Sequence, residues 1–233
     1  MRLAVIPARG GSKRIVGKNI KEFCGKPIIA YSIDAARKSG AFDHVIVSTD
    51  DPEIAEKAKS FGAQVPFLRP AELSDDFTAT APVVAHAINA VRPALGAADA
   101  VCCIYATAPF VDPRDIASGL KRLSQNDCSY VVSVTSYAFP IQRALKVRDR
   151  GYVEMFQPRE FSTRSQDLTE AWHDAGQFYW GKASTWLTDQ TIFGPNTVGL
   201  PVPRYRVQDI DTLEDWKQAE LMYAASVSYT HLT

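Results

Sequence analysis

The sequence has no surplus of either charge. Its 26 Lys+Arg residues balance 26 Asp+Glu residues, so no whole-molecule field draws the chain to nucleic acid or an anionic membrane, and any positive site must be local. It has no apolar run approaching a membrane span and no long hydrophobic stretch behind Arg2, which argues against a spanning helix and a secretory leader. Cysteine is scarce: Cys24, Cys102, Cys103 and Cys128 show no CxxC spacing and sit mostly in apolar contexts, so buried free thiols are expected rather than disulfides or a zinc site. These absences lead to an expected cytoplasmic location. Repeats and low-complexity runs are missing too. What remains is a chain of 233 residues, 46% hydrophobic and 22% charged, long enough to bury a large core and too apolar for disorder to be its main state.

Residues 2–7 (RLAVIP) form an apolar run of the kind found in strands buried on both faces. KPIIAYSIDAARKSG follows, with Pro27 at a helical first turn and Gly40 as a stop. DHVIVSTD reads as a strand, and Asp51 is the N-cap of a helix ended by Gly62. AQVPFLR predicts a short strand, TAPVVAHAINAV a helix, DAVCCIYA a strand, DPRDIASGLKRL a helix and SYVVSVTS a strand. This alternation implies βαβ crossovers and an α/β fold: a mainly parallel sheet with helices on both faces. It breaks between about residues 137 and 175, where aromatic and charged residues mix without one period. The break is either an inserted arm or lid, or a small antiparallel excursion that packs locally. GQFYWG, RYRVQDID and a last helix, TLEDWKQAELMYAA, then resume the pattern. Residues 1–225 are expected to form a single domain that includes the arm, and 226–233 (SVSYTHLT) a frayed or non-native tail beyond the last helix.

The stretch LAVIPARGGSKRIVGKN runs a strand straight into Gly10, Gly11 and the cations Arg9, Lys13, Arg14 and Lys18. A loop at the carboxyl edge of a parallel strand lies where open α/β sheets bind ligands; the glycines let the backbone turn tightly and aim N–H groups at an anion. The stretch is not a dinucleotide GxGxxG, and the spacing from Gly11 to Gly17-Lys18-Asn19 is not a Walker A loop. A second anchor is RYRVQDIDTLED. On a strand, Asp209 and Asp211 share a face while Ile210 enters the core. Two hard carboxylates suit Mg²⁺, although Thr212 and Asp215 can also cap the next helix.

The whole string IPARGGSKRIVGKN resembles the N-terminal signature of the sugar-acid cytidylyltransferases. That resemblance implies a nucleotide-diphospho-sugar transferase-like fold and a loop wrapped around the phosphates of CTP. Arg9, Gly10, Gly11, Ser12, Lys13, Lys18 and Asn19 would bind the nucleotide, with Mg²⁺ on Asp209 and Asp211. PFLRPAELSDDFTATAPVV resembles the family segment whose arginine lies against the nucleotide, which assigns Arg69; Asp75 and Asp76 follow it. Arg9, Lys13, Lys18, Asp209 and Asp211 are then the expected catalytic set.

Within the family, FCGKPIIAYSI, CCIYATAPF, PIQRAL, STRSQDL and HDAGQFYWG resemble the members that act on pseudaminic acid, apart from Ala106 where those tend to carry proline. The expected reaction joins CTP and pseudaminic acid to give a CMP-sugar and pyrophosphate, feeding a surface glycan or glycosylated flagellin. The sugar acid would meet Gln142, Arg143, Arg164, Gln166, His173, Asp174 and Gln177, and either Arg143 or Arg164 suits its carboxylate. His173, a lone histidine beside Trp172, reads as a packed core residue ahead of a catalytic one. Phe178, Tyr179 and Trp180 read as core, with Tyr179 on the opposite face from the other two. The related chemistry on sialic, legionaminic or 3-deoxy-octulosonic acid, a glycosyltransferase using DxD, and a non-catalytic CTP sensor are the alternatives. The resemblance also implies a homodimer joined through the 137–175 arm.

Overall fold

Arg2–Pro7 (β1) is the strand buried on both faces that its composition predicts, and a computed structural model describes it with the rest of residues 1–188 and 191–230. The chain then makes a small hairpin of Glu22–Phe23 (β2) and Lys26–Pro27 (β3). Its two-residue turn has φ 47° at Cys24 and 95° at Gly25, the double left-handed geometry of a tight hairpin. Helix Ile28–Lys38 (α1), strand His44–Ser48 (β4) and helix Pro52–Ser60 (α2) follow. Asp51 caps α2 as its sequence predicts, accepting hydrogen bonds from the N–H groups of Glu53 at 2.7 Å and Ile54 at 3.3 Å.

Helix Thr80–Leu95 (α3), strand Ala100–Ile104 (β5), helix Pro113–Gln125 (α4) and strand Tyr130–Ser136 (β6) continue the alternation. An excursion then carries the hairpin Leu145–Val147 (β7) and Val153–Met155 (β8) before strand Trp172–Lys182 (β9), the short helix Ala183–Leu187 (α5), strand Thr197–Pro201 (β10) and helix Leu213–Thr230 (α6). The main sheet has the order β10-β6-β9-β5-β1-β4. The β1/β4, β1/β5 and β10/β6 pairs are parallel, and β9 runs antiparallel to both β5 and β6. Five strands therefore point one way and β9 the other. Among the described residues no helix is long and apolar enough to cross a membrane.

Alternation along the strands divides the core. One cluster takes Ile29 and Ile33 of α1, Ile54 of α2, Ile116 of α4, and Phe178 and Trp180 of β9; the opposite face takes Val84 and Ile88 of α3, Tyr179 of β9 and Trp186 of α5. A third cluster lies at one end, where α6 brings Trp216 against Phe23, Ile28 and Tyr31, together with Ile15 and Ile210.

The structure departs from the sequence reading in five places. Residues 63–69 form no strand and make only a single bridge between Gln64 and Ile46, because Pro66 has no N–H to continue a ladder. Residues 204–211 are not a strand either: Arg204–Arg206 is one turn of 3₁₀ helix, and the segment after it joins no sheet. The short strand β10, absent from the sequence reading, extends the sheet instead. Cys24 is exposed, being a turn residue, while the other three cysteines are buried as expected. Finally, α6 does not stop at Ala225 but continues to Thr230, carried on by the helix-compatible Ala224-Ala225; residues 231–233 of the expected tail lie outside the described residues.

Close packing gives a sharp test. Gly119 sits inside α4, where alanine normally gains about 1 kcal/mol of helix propensity. A Cβ there would stand 2.6 Å from Trp180 Cδ1 and 3.1 Å from Phe178 Cε2, and the Trp180 ring is fixed by its N–H bond to the Ile116 carbonyl at 2.9 Å. Overpacking at a rigid site costs about 1–3 kcal/mol, so Gly119→Ala should lower stability in urea denaturation, and a gain would show that α4 moves off the sheet freely.

Candidate active site

The loop after β1 leaves the sheet at the carboxyl edge and is pinned by Ile15, which is buried in the third cluster beside Ile210. This brings the cationic loop against the Asp-Ile-Asp segment near the other end of the chain. Arg14 Nη1 lies 2.9 Å from Asp211 Oδ2. Lys18 Nζ donates to the Ile210 carbonyl at 2.6 Å and lies 3.4 Å from Asp211 Oδ1. On the other side Arg9 Nη1 reaches Asp76 Oδ1 at 2.7 Å and the Asp75 carbonyl at 2.7 Å, and Lys13 pairs with the same Asp76 carboxylate. Lys13, and then Arg9, hold the Asp76 carboxyl below the usual carboxylate range. Asn19 is buried and donates to the Arg9 carbonyl at 2.9 Å, which fixes the loop's base.

The two glycines act differently from the sequence expectation. Neither has a left-handed φ. Gly10 is required because a Cβ would meet Asp51 Oδ2 at 2.6 Å, and its N–H donates to Asp50 Oδ1 at 3.0 Å. Gly11 has no atom within 4 Å of where a Cβ would stand. Asp50 also faces the buried guanidinium of Arg69 at 3.6 Å, whose Nε donates to Ser74 Oγ at 3.1 Å. Burial lowers the Arg69 pKa while Asp50 opposes the shift.

These groups line a cavity of about 270 Å³ formed by the loop residues Arg9, Ser12, Lys13, Arg14, Lys18 and Asn19, with Arg69, Thr78, Thr80, Tyr105, Thr107 and Asp211. The start of α3 adds to its positive character, since Ala79 gives no side-chain cap and leaves first-turn N–H groups available. A second cavity of about 460 Å³ shares Tyr105 and Thr107 and adds His173, Asp174, Gly176, Gln208 and Asp209. The two aspartates do not line one cavity: Asp211 borders the first and Asp209 the second. Their carboxylates still sense each other, because burial and then Asp211 raise the Asp209 pKa.

Among the described residues no group of three or more His, Cys, Asp and Glu could hold a metal. A pair of hard carboxylates, Asp209 exposed and Asp211 partly buried, nevertheless fits a divalent cation that takes its remaining ligands from phosphate and water. The segment carrying the pair is set by the buried Gln177, whose Nε2 donates to the Arg206 carbonyl, and by the Arg206 guanidinium, 2.7 Å from Asp115 and 3.5 Å from Asp112. Gln177 thus supports the segment and lines neither cavity.

Of the other residues expected at the sugar acid, Gln142, Arg143, Arg164 and Gln166 lie on the excursion and line neither cavity. Gln142 Nε2 donates to the Thr169 carbonyl at 2.9 Å, Arg143 to the Thr163 carbonyl, and Arg164 pairs with Asp167 at 2.7 Å. Gln166 lines a separate shallow groove with Tyr137 and Phe139. His173 borders the second cavity with its ring against Tyr137 and Nδ1 2.8 Å from the Asp174 carbonyl. Sequence reasoning assigned no role to Thr80 or Tyr105, which only the tertiary fold brings to the cavities, or to Arg206, which props the aspartate segment from behind, although Arg14 stood in plain view within the loop.

A family model described as Cytidylyltransferase matches residues 3–193. The chain is 44% identical over 221 residues to pseudaminic acid cytidylyltransferase of Campylobacter jejuni subsp. jejuni, covering 95% of each chain. It is 30% identical over 222 residues to CMP-N,N'-diacetyllegionaminic acid synthase of Legionella pneumophila, covering 94% of each. Among solved structures, CMP:2-keto-3-deoxy-manno-octonic acid synthetase complexed with CTP matches with a TM-score of 0.72 at 18% identity, over 97% of this chain and 99% of that one, a likeness of fold. With a family model matched over most of its length and a 44% identical relative covered to 95%, the chain belongs to the cytidylyltransferase family.

Proposed function

We propose that this chain transfers CMP from CTP to the anomeric hydroxyl of pseudaminic acid, releasing pyrophosphate. The observation that carries the reading is the junction of two cavities, one lined by loop cations and the other by polar groups of β9, with Asp211 and Asp209 on either side. The higher identity to the pseudaminic acid relative than to the legionaminic acid relative supports the choice of sugar.

In this reading Arg9, Lys13, Lys18 and the N–H groups of Gly10 and Gly11 receive the triphosphate, with Ser12, Asn19 and Arg69 at its nucleotide side. Asp76 and Asp211 hold the cations until phosphate oxygens replace them. A triphosphate carries about four negative charges, and attack at the α-phosphorus needs them offset. Mg²⁺ would be held by Asp209 and Asp211 and would supply further neutralisation of the phosphate oxygens. The sugar acid occupies the second cavity beside His173 and Asp174, placing its hydroxyl in line with the bond to the leaving pyrophosphate. The need for CTP favours the cytoplasm.

The excursion supports a homodimer. Phe139, Val147, Tyr152, Phe156 and Phe161 are each more than half exposed, and a concentration of exposed apolar side chains on one segment suits an interface. In a dimer, Gln142, Arg143, Arg164 and Gln166 have a route to a sugar site that they do not line within their own chain.

Two measurements test this. Pyrophosphate release should require CTP, Mg²⁺ and pseudaminic acid together, be absent with N-acetylneuraminic or legionaminic acid, and fall about 100-fold or more in Asp211→Ala. Release with another acid would overturn the sugar, and CTP binding without release would favour a sensor. Light scattering should give twice the 25.7 kDa chain mass, reverting to one chain mass in Phe156→Glu/Phe161→Glu; a wild-type monomer at micromolar concentration would remove the dimer.

A further inference from the structure

Between Val132 and Val134 the pairing of β6 with β9 shifts from Tyr179 to Asp174, so four residues of β9 stand against the single Ser133. Ser133 fills the gap, its hydroxyl 3.2 Å from both the N–H and the carbonyl of Phe178, and Gly176 turns through φ 60°. Bulges of this kind re-aim side chains next to functional sites. Here the bulge folds Asp174 back over Tyr179, whose hydroxyl donates to Asp174 Oδ2, while the Gly176 N–H donates to Oδ1 at 2.8 Å.

Tyr179 is itself buried and lines neither cavity. Its hydroxyl also lies 3.4 Å from that of Tyr105, which lies 3.3 Å from Thr80 Oγ1. An ionised carboxylate only accepts, so the chain has one direction: Thr80 to Tyr105, Tyr105 to Tyr179, Tyr179 to Asp174. Each bond polarises the next. Burial, and then Tyr105, push the Tyr179 hydroxyl far above the usual tyrosine range, which keeps it a donor.

We propose that Tyr179 is a positioning residue that holds Asp174 as a fixed acceptor in the second cavity, for a hydroxyl or amide N–H of the sugar acid. The inference rests on reading that cavity as the sugar-acid site. It also orients the substrate: a fixed carboxylate at Asp174 repels the sugar's own carboxylate, which must point away from the bulge. The chain begins at Thr80 in the first cavity, but its acceptor end lies only in the second, so its loss is felt by the acid and not by CTP.

The test is steady-state kinetics with CTP and pseudaminic acid on wild type, Tyr179→Phe, Asp174→Asn and the double variant, with thermal unfolding of each. Tyr179→Phe should raise KM for the acid about tenfold with KM for CTP and kcat within about twofold, and should add less than about twofold in the Asp174→Asn background. No rise, an equal rise in that background, or a parallel rise in KM for CTP would overturn the positioning role. If Tyr179→Phe fails to fold, Asp174→Glu carries the test beside Asp174→Asn: it keeps a carboxylate but displaces it from the Tyr179 hydroxyl and the Gly176 N–H, so KM for the acid should rise about tenfold with KM for CTP unchanged, and a wild-type KM in Asp174→Glu would overturn the positioning role. Wild-type silence toward pseudaminic acid would overturn the functional reading and this inference with it, whereas wild-type turnover with an unaffected Tyr179→Phe would overturn this inference alone.

Discussion

The shared burial of Ile15 and Ile210 is the constraint on which the cleft depends. Both side chains enter the cluster built by Phe23, Tyr31 and Trp216, where edge-to-face ring pairs at 5.6 Å tie Phe23 to α1 and α6. Fully burying an isoleucine is worth about 1.5–3 kcal/mol. Of the neighbouring ion pairs, those of Lys13 and Arg14 are solvent-exposed, at 80% and 67% of their side chains, and exposed pairs contribute about 0–1 kcal/mol each. The apolar anchors therefore hold the loop and the aspartate segment together, and the charges above them are free to change partners.

That division suits a site which must take up and release a polyanion. Asp76 satisfies Arg9 and Lys13, Asp211 satisfies Arg14 and Lys18, and Asp50 takes the Gly10 N–H. Carboxylates thus stand where phosphate oxygens would make charge-assisted bonds of the same kind. Exchanging one anion for another costs little while the backbone beneath is fixed by burial, by Asn19 and by the capping box in which Asp215 Oδ2 accepts from Thr212 N–H at 2.7 Å and Asp215 N–H donates to Thr212 Oγ1 at 3.2 Å.

Much of this was legible in the sequence for identifiable reasons. The alternation of apolar strands with capped helices is a local signal, and Asp51-Pro52 and Asp112-Pro113 each begin the helix they announce. Phe178 and Trp180 divide from Tyr179 across the sheet because strand periodicity is itself local. The failures share a cause. Residues 204–211 alternate like a strand, yet no neighbour offers them a ladder; their geometry comes from Gln177, Asp112 and Asp115, all distant in the chain. Ile210 still reaches the core, so the face was readable where the element was not. The tyrosine chain was invisible for the same reason, since it exists only once the bulge brings Asp174 over Tyr179.

The reversed strand explains why the excursion lies beside the site. In an open parallel sheet, ligands gather at the carboxyl edge, and β6 ends there at Ser136. Were β9 parallel to its neighbours, the chain would have to cross to the opposite edge before re-entering the sheet. Because β9 is antiparallel, Trp172 pairs directly with Ser136, so residues 137–171 leave and return at the ligand edge. The same reversal delivers His173 and Asp174 to the second cavity before the strand dives into the core at Gln177. One inverted strand between β5 and β6 thus supplies a wall of the second cavity and the base of the excursion, and it does so without disturbing the parallel strands that carry the cationic loop.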